Sequence, residues 1–237
     1  MRIINIIKKI INLLNIDIKK YPNLDLRRRR KLLEYYNISK VLDVGANSGQ
    51  YATELFKIGY SGKIVSFEPV KSVYKKLNEI SKNNKKWTTY NFGLGNKEEE
   101  MLINISENTY SSSLLDIMPS HVEGAPESKY INKETVQIKT LDSVFNDVVK
   151  KDDVVLLKMD VQGFEKNVLE GAINSLKNIK GIQLEMSIEE LYKGEMLFDE
   201  MIAFLKQYNF SLHSLENGYF NKKTGKLLQV DGVFFRK

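Results

Sequence analysis

Two acidic residues and two glycines are spaced in this sequence as if to hold a small cationic ligand. Asp43, Gly45 and Gly49 lie in the block 41–51, which reads VLDVGANSGQY. The glycines let the turn after a strand pass close to a ligand without obstruction by a Cβ atom. Asp43 would repel a phosphate and attract the ammonium group of a methionine moiety, and the G-x-G-x-x-G spacing of pyrophosphate binders is missing. A purely structural strand–turn–helix is the alternative interpretation.

The second acidic residue, Glu68, ends the next apolar run, beside the first turn. A carboxylate at that position can accept both hydroxyls of a ribose, although a solvated strand-end acid is the alternative. Pro69 fixes the turn and starts the next helix. The flexible backbone at 91–95 can lie against an adenine ring. The predicted cofactor contacts are Asp43, Gly45, Asn47, Gly49, Tyr51, Glu68, Pro69, Gly93 and Leu94.

Three further side chains are candidates for catalysis. Asp160 and Glu185 follow the fourth and fifth predicted strands, whose carboxyl ends meet at the edge where open α/β sheets bind ligands. His121 is the third candidate, with an ordinary surface histidine as its alternative. The three side chains can converge on a hydroxyl to remove its proton, or on Mg²⁺ or Mn²⁺ with Asp160 and Glu185 as ligands. Glu165 and Asp231 are interpreted as a helix N-terminal acid and a turn acid.

The elements that must position these residues form a repeating pattern from residue 40 onward. Short β-branched apolar runs alternate with longer amphipathic ones, which predicts a parallel sheet covered by helices on both faces. The predicted strands are 40–44, 63–67, 88–92, 154–159, 182–186, 211–215 and 228–235, and the predicted helices lie near 50–58, 70–82, 140–149, 165–177 and 196–208. Only a polar loop separates the last two strands, which indicates an antiparallel hairpin. The fold class predicted is a doubly wound, Rossmann-like α/β fold with a seven-stranded, mostly parallel sheet, as expected of class I methyltransferases.

Residues 106–135 interrupt this pattern. They lack apolar periodicity, which predicts a long insertion without regular structure: a lid, a binding loop or a disordered linker. Their mix of Ser, His, Glu and aromatic residues favours a loop on the substrate side. We therefore expect one catalytic domain over 40–237, with an N-terminal helical extension over 1–39.

The N-terminal extension begins with apolar residues at helical spacing opposite Lys and Asn, which predicts an amphipathic helix over residues 1–20. It carries too many charges to span a membrane and lacks a signal cleavage site. Two interpretations stay open: packing on its own domain or in a homodimer, and docking on a membrane surface. The basic run 27–31 is either a solvated helix face or a contact for anionic lipid or phosphate.

Composition narrows the classes of function. The chain has no cysteine, which excludes disulfides, cysteine-ligated zinc and thiol nucleophiles. We expect a cytoplasmic protein, or one peripheral on the inner membrane face. The net charge of +6 favours anionic partners, but dispersed lysines supply much of it. A nucleic-acid partner is not expected, because no aromatic-basic recognition module is present.

The segments 157–165 (LKMDVQGFE) and 168–171, together with 41–51 and 66–69, resemble the FkbM family of S-adenosylmethionine-dependent methyltransferases. The resemblance runs from about residue 40 to the C-terminus. It also includes 111–115, 139–142, 183–185 and 229–236.

This resemblance implies O-methylation of a hydroxyl group with S-adenosyl-L-methionine as cofactor. The expected acceptor is a sugar of a bacterial surface glycan, or its nucleotide- or lipid-linked precursor. The alternatives are a polyketide-type natural product, nucleic acid and, last, a noncatalytic binding protein. Gln162 departs from the family, since many relatives have Glu there in a D-x-E-G-x-E motif. The departure leaves Asp160 and Glu165 in place but removes one possible ligand or base.

Overall fold

The computed structural model describes residues 21–236, so the amphipathic segment predicted over 1–20 lies outside the described residues. The helices are α1 (Leu24–Tyr35), α2 (Gln50–Lys57), α3 (Lys71–Ser81), α4 (Pro119–Gly124), α5 (Leu141–Val148), α6 (Glu165–Glu170) and α7 (Phe198–Gln207). The strands are β1 (Lys40–Val44), β2 (Lys63–Phe67), β3 (Trp87–Tyr90), β4 (Gly93–Leu94), β5 (Glu99–Ser106), β6 (Tyr130–Lys139), β7 (Val155–Met159), β8 (Ile179–Ser187), β9 (Phe210–Asn217) and β10 (Gln229–Arg236).

Seven strands form the main sheet, in the order β3-β2-β1-β7-β8-β10-β9. The pairs from β3 to β8 are parallel, and β10 runs antiparallel to both of its neighbours. The predicted fold class, including the C-terminal hairpin, is confirmed. In this topology β1 and β7 are neighbours, and the ends of β1, β2, β7 and β8 meet at one edge, where most of the candidate side chains lie.

The helix predicted over 165–177 is too long, because α6 ends at Glu170. A Cβ atom on Gly171 would lie 1.8 Å from the carbonyl oxygen of Gly95. The chain must therefore pass against another backbone here, and a short 3₁₀ turn (Leu176–Asn178) replaces the rest of the predicted helix.

The prediction of an unstructured insertion over 106–135 is wrong at both ends. Strands β5 and β6 pair antiparallel, and β6 also pairs with β4 to make a second, three-stranded sheet. Within β6 only Val136 and Ile138 are buried, because the outer face of this strand is solvated and polar. This one-sided strand has the composition of a loop. Residues 107–129 lie between β5 and β6 and include α4 and a short 3₁₀ turn (Pro126–Ser128).

Helix α1 packs on the face of the main sheet that also carries α2. Its residues Leu26 and Leu33 join a buried cluster with Val41 and Leu156 of the central strands. The side chain of Asn23 caps the helix by accepting a hydrogen bond from the Leu26 amide at 2.8 Å. No helix within residues 21–236 is long and apolar enough to cross a membrane.

Candidate active site

The turn from β1 into α2 forms one wall of a cavity at the carboxyl edge of the sheet. Gly45 has φ +70°, and a Cβ atom there would lie 1.9 Å from the carbonyl oxygen of Asp160. Gly49 has φ +87°, and its Cβ position is 2.6 Å from the Trp87 ring. Only glycine fits at these two positions. The sequence thus brings the β1 turn against the end of β7.

Glu68 ends its strand with its carboxylate turned toward this wall. Its Oε2 accepts a hydrogen bond from the Asn47 amide at 2.9 Å, and its Oε1 accepts one from the Val70 amide at 2.8 Å. The side chain is 6% exposed. Burial raises the pKa of Glu68 to about 7, although the two amide bonds oppose the rise. Each carboxylate oxygen keeps a lone pair that can accept a ligand hydroxyl.

The cavity beside Glu68 has a volume of about 210 Å³ and a mixed lining. Val70, Val73, Leu94 and Ile103 give it an apolar side suited to a flat aromatic ring. The charged residues on its lining are Glu68, Asp160 and Glu185, and no lysine, arginine or histidine is among the described lining residues. This cavity attracts cations and repels phosphate.

The segment after β5 closes one side of the cavity, through its residues 109–114. The Ser113 hydroxyl donates to the carbonyl oxygen of Gln162 at 2.6 Å, and the Gln50 side chain donates to the Tyr110 hydroxyl at 3.1 Å. The segment therefore bridges the turns that follow β1 and β7. This part of the predicted insertion therefore lines the cavity.

Asp43 does not lie on the cavity, contrary to its predicted role beside a methionine ammonium. Its carboxylate is 0% exposed, accepts a hydrogen bond from Ser66 at 3.0 Å and lies 3.0 Å from Nζ of Lys158. Burial lowers the pKa of Lys158, but the carboxylates of Asp43 and Asp160 outweigh it and hold that pKa above its ordinary value. Asp43 is thus neutralised by an internal cation.

Asp160 and Glu185 come together as predicted, and the side chain that joins them is Gln162. Its Nε2 donates to Oδ1 of Asp160 at 2.7 Å and to Oε2 of Glu185 at 2.8 Å. An amide NH₂ group has two hydrogens, so both are used. Nζ of Lys158 lies 3.8 Å from the other oxygen of Asp160.

His121 does not converge with these carboxylates, and it does not line the cavity. Its ring packs edge-on against Tyr192, with the centroids 5.1 Å apart, and lies 5.5 Å from Tyr219. Burial lowers the pKa of His121 to about 4, so the ring is neutral at neutral pH. Tyr192 lies between His121 and the carboxylate pair: its ring packs on His121, and its hydroxyl donates to Oε1 of Gln162 at 2.6 Å. His121 thus supports the site through Tyr192.

Further carboxylates surround the pair. Burial and the charges of Asp160 and Asp231 raise the pKa of Glu185 well above its ordinary value. Asp231 faces Glu185 across the β8–β10 pair, and burial and the charge of Asp160 raise its pKa to about 7. Glu165 accepts a bond from the Val161 amide at 3.0 Å, and burial raises its pKa to about 8. Glu165 is therefore a buried acid and Asp231 a half-buried one, both close to the pair, and they are not merely a helix-end acid and a turn acid.

The basic run 27–31 divides between surface and interior. Arg29 is 9% exposed and pairs with Glu216, which lies opposite Asp231 in the β9–β10 register. Arg27, Arg30 and Lys31 are exposed. The prediction of a solvated face therefore fails for Arg29, whose guanidinium ties α1 to the acidic edge of the sheet.

The predicted site residues fall into two groups. Those on the cavity are Gly45, Asn47, Glu68, Pro69, Gly93, Leu94, Asp160 and Glu185. Those away from it are Asp43, Gly49, Tyr51 and His121. The Tyr51 hydroxyl donates to Gln183 at 2.7 Å and its ring lies under Lys158, so it belongs to the buried polar layer behind the cavity. Gly49 shapes the start of α2.

The predicted divalent cation finds no support in the structure. Among residues 21–236 no three His, Asp or Glu side chains are grouped so that they could hold a metal ion. The Gln162 amide lies between the predicted ligands Asp160 and Glu185, and its hydrogens are directed at both carboxylates.

Several site residues were not predicted from the sequence. Of these, Lys158 could have been recognised from its position in a strand. It is the one charged residue of β7, whose other members are apolar, and a buried lysine needs an acid on a neighbouring strand. The β1–β7 register pairs it with Asp43. Tyr192 and the apolar lining at Val70, Val73 and Ile103 carried no comparable signal.

The comparison with sequence families settles the class of protein. A model of the FkbM methyltransferase domain matches residues 43–212. The chain belongs to the FkbM family of methyltransferases. Its domain over residues 43–212 is therefore that of the S-adenosylmethionine-dependent FkbM methyltransferases, which confirms the family predicted from the sequence motifs. No curated protein matches it in sequence.

Solved structures include a methyltransferase FkbM from Methylobacillus flagellatus KT, with 13% identity and a TM-score of 0.47. That match covers 83% of this chain and 44% of the other. TehB from Haemophilus influenzae has 11% identity and a TM-score of 0.48, over 92% of this chain and 64% of that one. Fibrillarin from Aeropyrum pernix, crystallised with natively bound S-adenosyl-L-methionine, has 10% identity and a TM-score of 0.45, over 82% of this chain and 66% of that one. This chain thus spans less than two thirds of the first two.

Proposed function

We propose that this FkbM protein transfers a methyl group to a hydroxyl of a sugar in a bacterial surface glycan, or in its nucleotide- or lipid-linked precursor. The observation that carries the proposal is that one cavity is lined both by Glu68 and by the Asp160–Glu185 pair. Glu68 suits a ribose, and the pair suits a hydroxyl that must lose a proton. The sugar itself is inferred from the family resemblance.

The residues of the cavity fit S-adenosyl-L-methionine in shape and charge. Glu68 has lone pairs for the ribose hydroxyls, and Val70, Val73 and Leu94 offer apolar surface to the adenine. The cofactor is cationic and supplies an already activated methyl group. An acidic lining without cations suits it and disfavours a dinucleotide, whose phosphates need donors.

The chemical work left to the protein is to align an acceptor oxygen and to take its proton. Asp160 is the base in this proposal, because its side chain lines the cavity and is 39% exposed, so that an acceptor hydroxyl can reach it. Glu185 holds a proton more readily, since burial and its acidic neighbours raise its pKa. Glu185 then hydrogen-bonds a second hydroxyl of the acceptor and fixes its orientation.

The same charges argue against the alternatives. A nucleic-acid acceptor would bring phosphates on both sides of its reacting sugar toward Asp160, Glu185 and Asp231, whereas a linked precursor carries its phosphates at one end of the glycan. Lys158 is already paired with Asp43 and does not offset that repulsion. A divalent cation between Asp160 and Glu185 would meet the hydrogens of the Gln162 amide. We therefore assign the two carboxylates to hydrogen bonding and proton transfer.

A lipid-linked precursor would place the acceptor at the membrane, and the exposed residues Arg27, Arg30 and Lys31 could contact anionic lipid there. We therefore propose that the protein lies in the cytoplasm, peripheral on the inner membrane face. Pairing in a homodimer through residues 1–39 is the alternative.

The experiment uses purified full-length protein and S-adenosyl-L-methionine with a tritiated methyl group. Glycan fractions from cells lacking the gene should take up label in an alkali-stable ether, and fractions from cells with the gene should take up less because their sites are already methylated. Label in RNA, DNA or a small natural product, with none in glycan, would refute the sugar acceptor.

A further inference from the structure

The turn that carries Gln162 is held from both sides. Gln162 has φ +55° and Gly163 has φ +90°, which is a left-handed turn between β7 and α6. A Cβ atom on Gly163 would lie 2.6 Å from Cβ of Tyr192, so the turn packs directly on that residue. On the other side, Ser113 donates to the Gln162 carbonyl oxygen at 2.6 Å. A strained, closely packed turn of this kind costs free energy that the surrounding contacts must offset.

The contacts of the Gln162 side chain define which way its amide points. Its oxygen accepts from the Tyr192 hydroxyl at 2.6 Å, while its nitrogen donates to Asp160 and Glu185. A flipped amide would turn its oxygen toward two carboxylates and lose both donated bonds. The hydrogen bond from the Tyr192 hydroxyl therefore fixes the orientation of the amide, with its two N–H groups directed at the acids.

We propose that Gln162 is a positioning residue, oriented by Tyr192, whose amide holds Asp160 and Glu185 as a pair facing the cofactor cavity. The catalytic part of this inference depends on the proposed function, but the geometric part does not. Glutamine suits this role better than the glutamate of many relatives, because an ionised glutamate has no hydrogen to donate and adds a third negative charge. Gln162, whose presence in place of Glu removes a possible ligand or base, thus has a role as a hydrogen-bond donor.

The charged and titratable groups that face this pair come from several elements. They are Lys158 of β7, Glu165 of α6, Asp231 of β10, and Tyr192 on the segment after β8. Of these only Lys158 is a cation, so Gln162 is the uncharged donor that both acids share.

The geometric part can be tested without any acceptor, by nuclear magnetic resonance of full-length protein saturated with S-adenosylhomocysteine. Loss of one side-chain amide signal in Gln162→Met assigns the Gln162 NH₂ group. We expect both of its protons downfield and slow to exchange with water, and we expect exchange at least tenfold faster in Tyr192→Phe. Tyr130→Phe is the matched control, because it removes another tyrosine hydroxyl, one that donates to the Leu115 carbonyl oxygen at 2.8 Å.

The catalytic part is measured as methyl transfer to the glycan fraction described above. For Gln162→Met we expect kcat to fall about 10- to 100-fold with KM for S-adenosyl-L-methionine within about twofold, because only the acceptor end is disturbed. Tyr192→Phe should also lower kcat with little change in KM, but by a smaller factor. An amide signal that exchanges freely in the unsubstituted protein, or is unchanged in Tyr192→Phe, would overturn the inference. Should Gln162→Met not fold, the signal lost in Gln162→Glu assigns the amide instead, and its exchange in Tyr192→Phe decides. Either of the two exchange results that overturn the inference would leave the proposed methyl transfer unaffected, because they concern only the role of Gln162.

Discussion

Nζ of Lys158 lies 3.0 Å from Oδ1 of Asp43, on adjacent strands and almost out of contact with solvent. The pair lies directly behind the cavity, and Lys158 also reaches toward Asp160. The strand-end acid Asp43 is therefore structural, and Lys158 opposite it links the β1–α2 turn to Asp160, the base of the proposed function.

Replacing Lys158 by Met should destabilise the protein by about 3–5 kcal/mol, because it leaves the carboxylate of Asp43 buried without a counter-charge. Urea unfolding at neutral pH measures this. The double variant Lys158→Met/Asp43→Asn should recover a large part of the loss, since the unpaired charge is gone. If the double variant is as unstable as the single one, packing explains the loss and the ion pair does not.

Glu68→Ala should weaken S-adenosylhomocysteine binding by about 1–3 kcal/mol, because the ribose loses its acceptors. Glu134→Ala is the matched control, since Glu134 also accepts a bond from a backbone amide at the start of α3, at 2.9 Å from Lys71 N, but lies off the cavity. With the pKa of Glu68 raised to about 7, affinity should also rise between pH 6 and pH 8 as the carboxylate ionises. Calorimetry that finds equal affinity for Glu68→Ala and wild type would remove the ribose from this position.

Stability should fall as pH rises from about 4.5 to about 8, and Glu165 should contribute to the fall. Burial raises its pKa from 4.5 to about 8, so in this window the group is neutral in the folded protein and ionised in the unfolded chain. The unfolded chain then binds fewer protons, and stability decreases by up to about 1.4 kcal/mol for each pH unit. Urea unfolding at several pH values should give Glu165→Gln a shallower dependence, whereas the exposed Glu170→Gln should follow wild type. Parallel curves for Glu165→Gln and wild type would contradict a raised pKa.

Both the successes and the failures of the sequence analysis have physical causes. The limits of β1 and β2 were predicted as observed, because both strands are short, mostly apolar and β-branched segments between polar turns. Strand β6 was missed because one of its faces is solvated and polar. Asp43 was placed correctly but given the wrong neighbour, since its partner Lys158 is 115 residues away along the chain and adjacent only in the β1–β7 register.

His121 and Gln162 show the same limit at the level of single side chains. Their types suggested a catalyst and a lost ligand, whereas the contacts with Tyr192 make one a buried support and the other a donor to two acids. No spacing rule connects these residues, because they come from α4, the turn after β7 and the segment after β8.

Association with anionic membranes should depend on residues 1–20 and on salt, if the amphipathic segment and the exposed arginines act together. Co-sedimentation with phosphatidylglycerol vesicles, at low and high salt, compares the full chain with a truncation at residue 20. That truncation keeps Arg29 and its pair with Glu216, so the fold is not disturbed by an unpaired buried acid. Sedimentation that is equal with and without residues 1–20, or none at all, would favour packing on the domain or in a homodimer.

Methyl transfer to a sugar is tested most directly by mass spectrometry of the surface glycans of cells that lack the gene and are complemented with wild type or Asp160→Asn. We expect glycans lighter by one CH₂ unit per methylated sugar in the deletion, restored mass with wild type, and little restoration with Asp160→Asn, whose turnover should be about 10²–10⁴-fold lower while cofactor affinity is kept. Identical glycan masses in all strains, or full restoration by Asp160→Asn, would contradict this expectation.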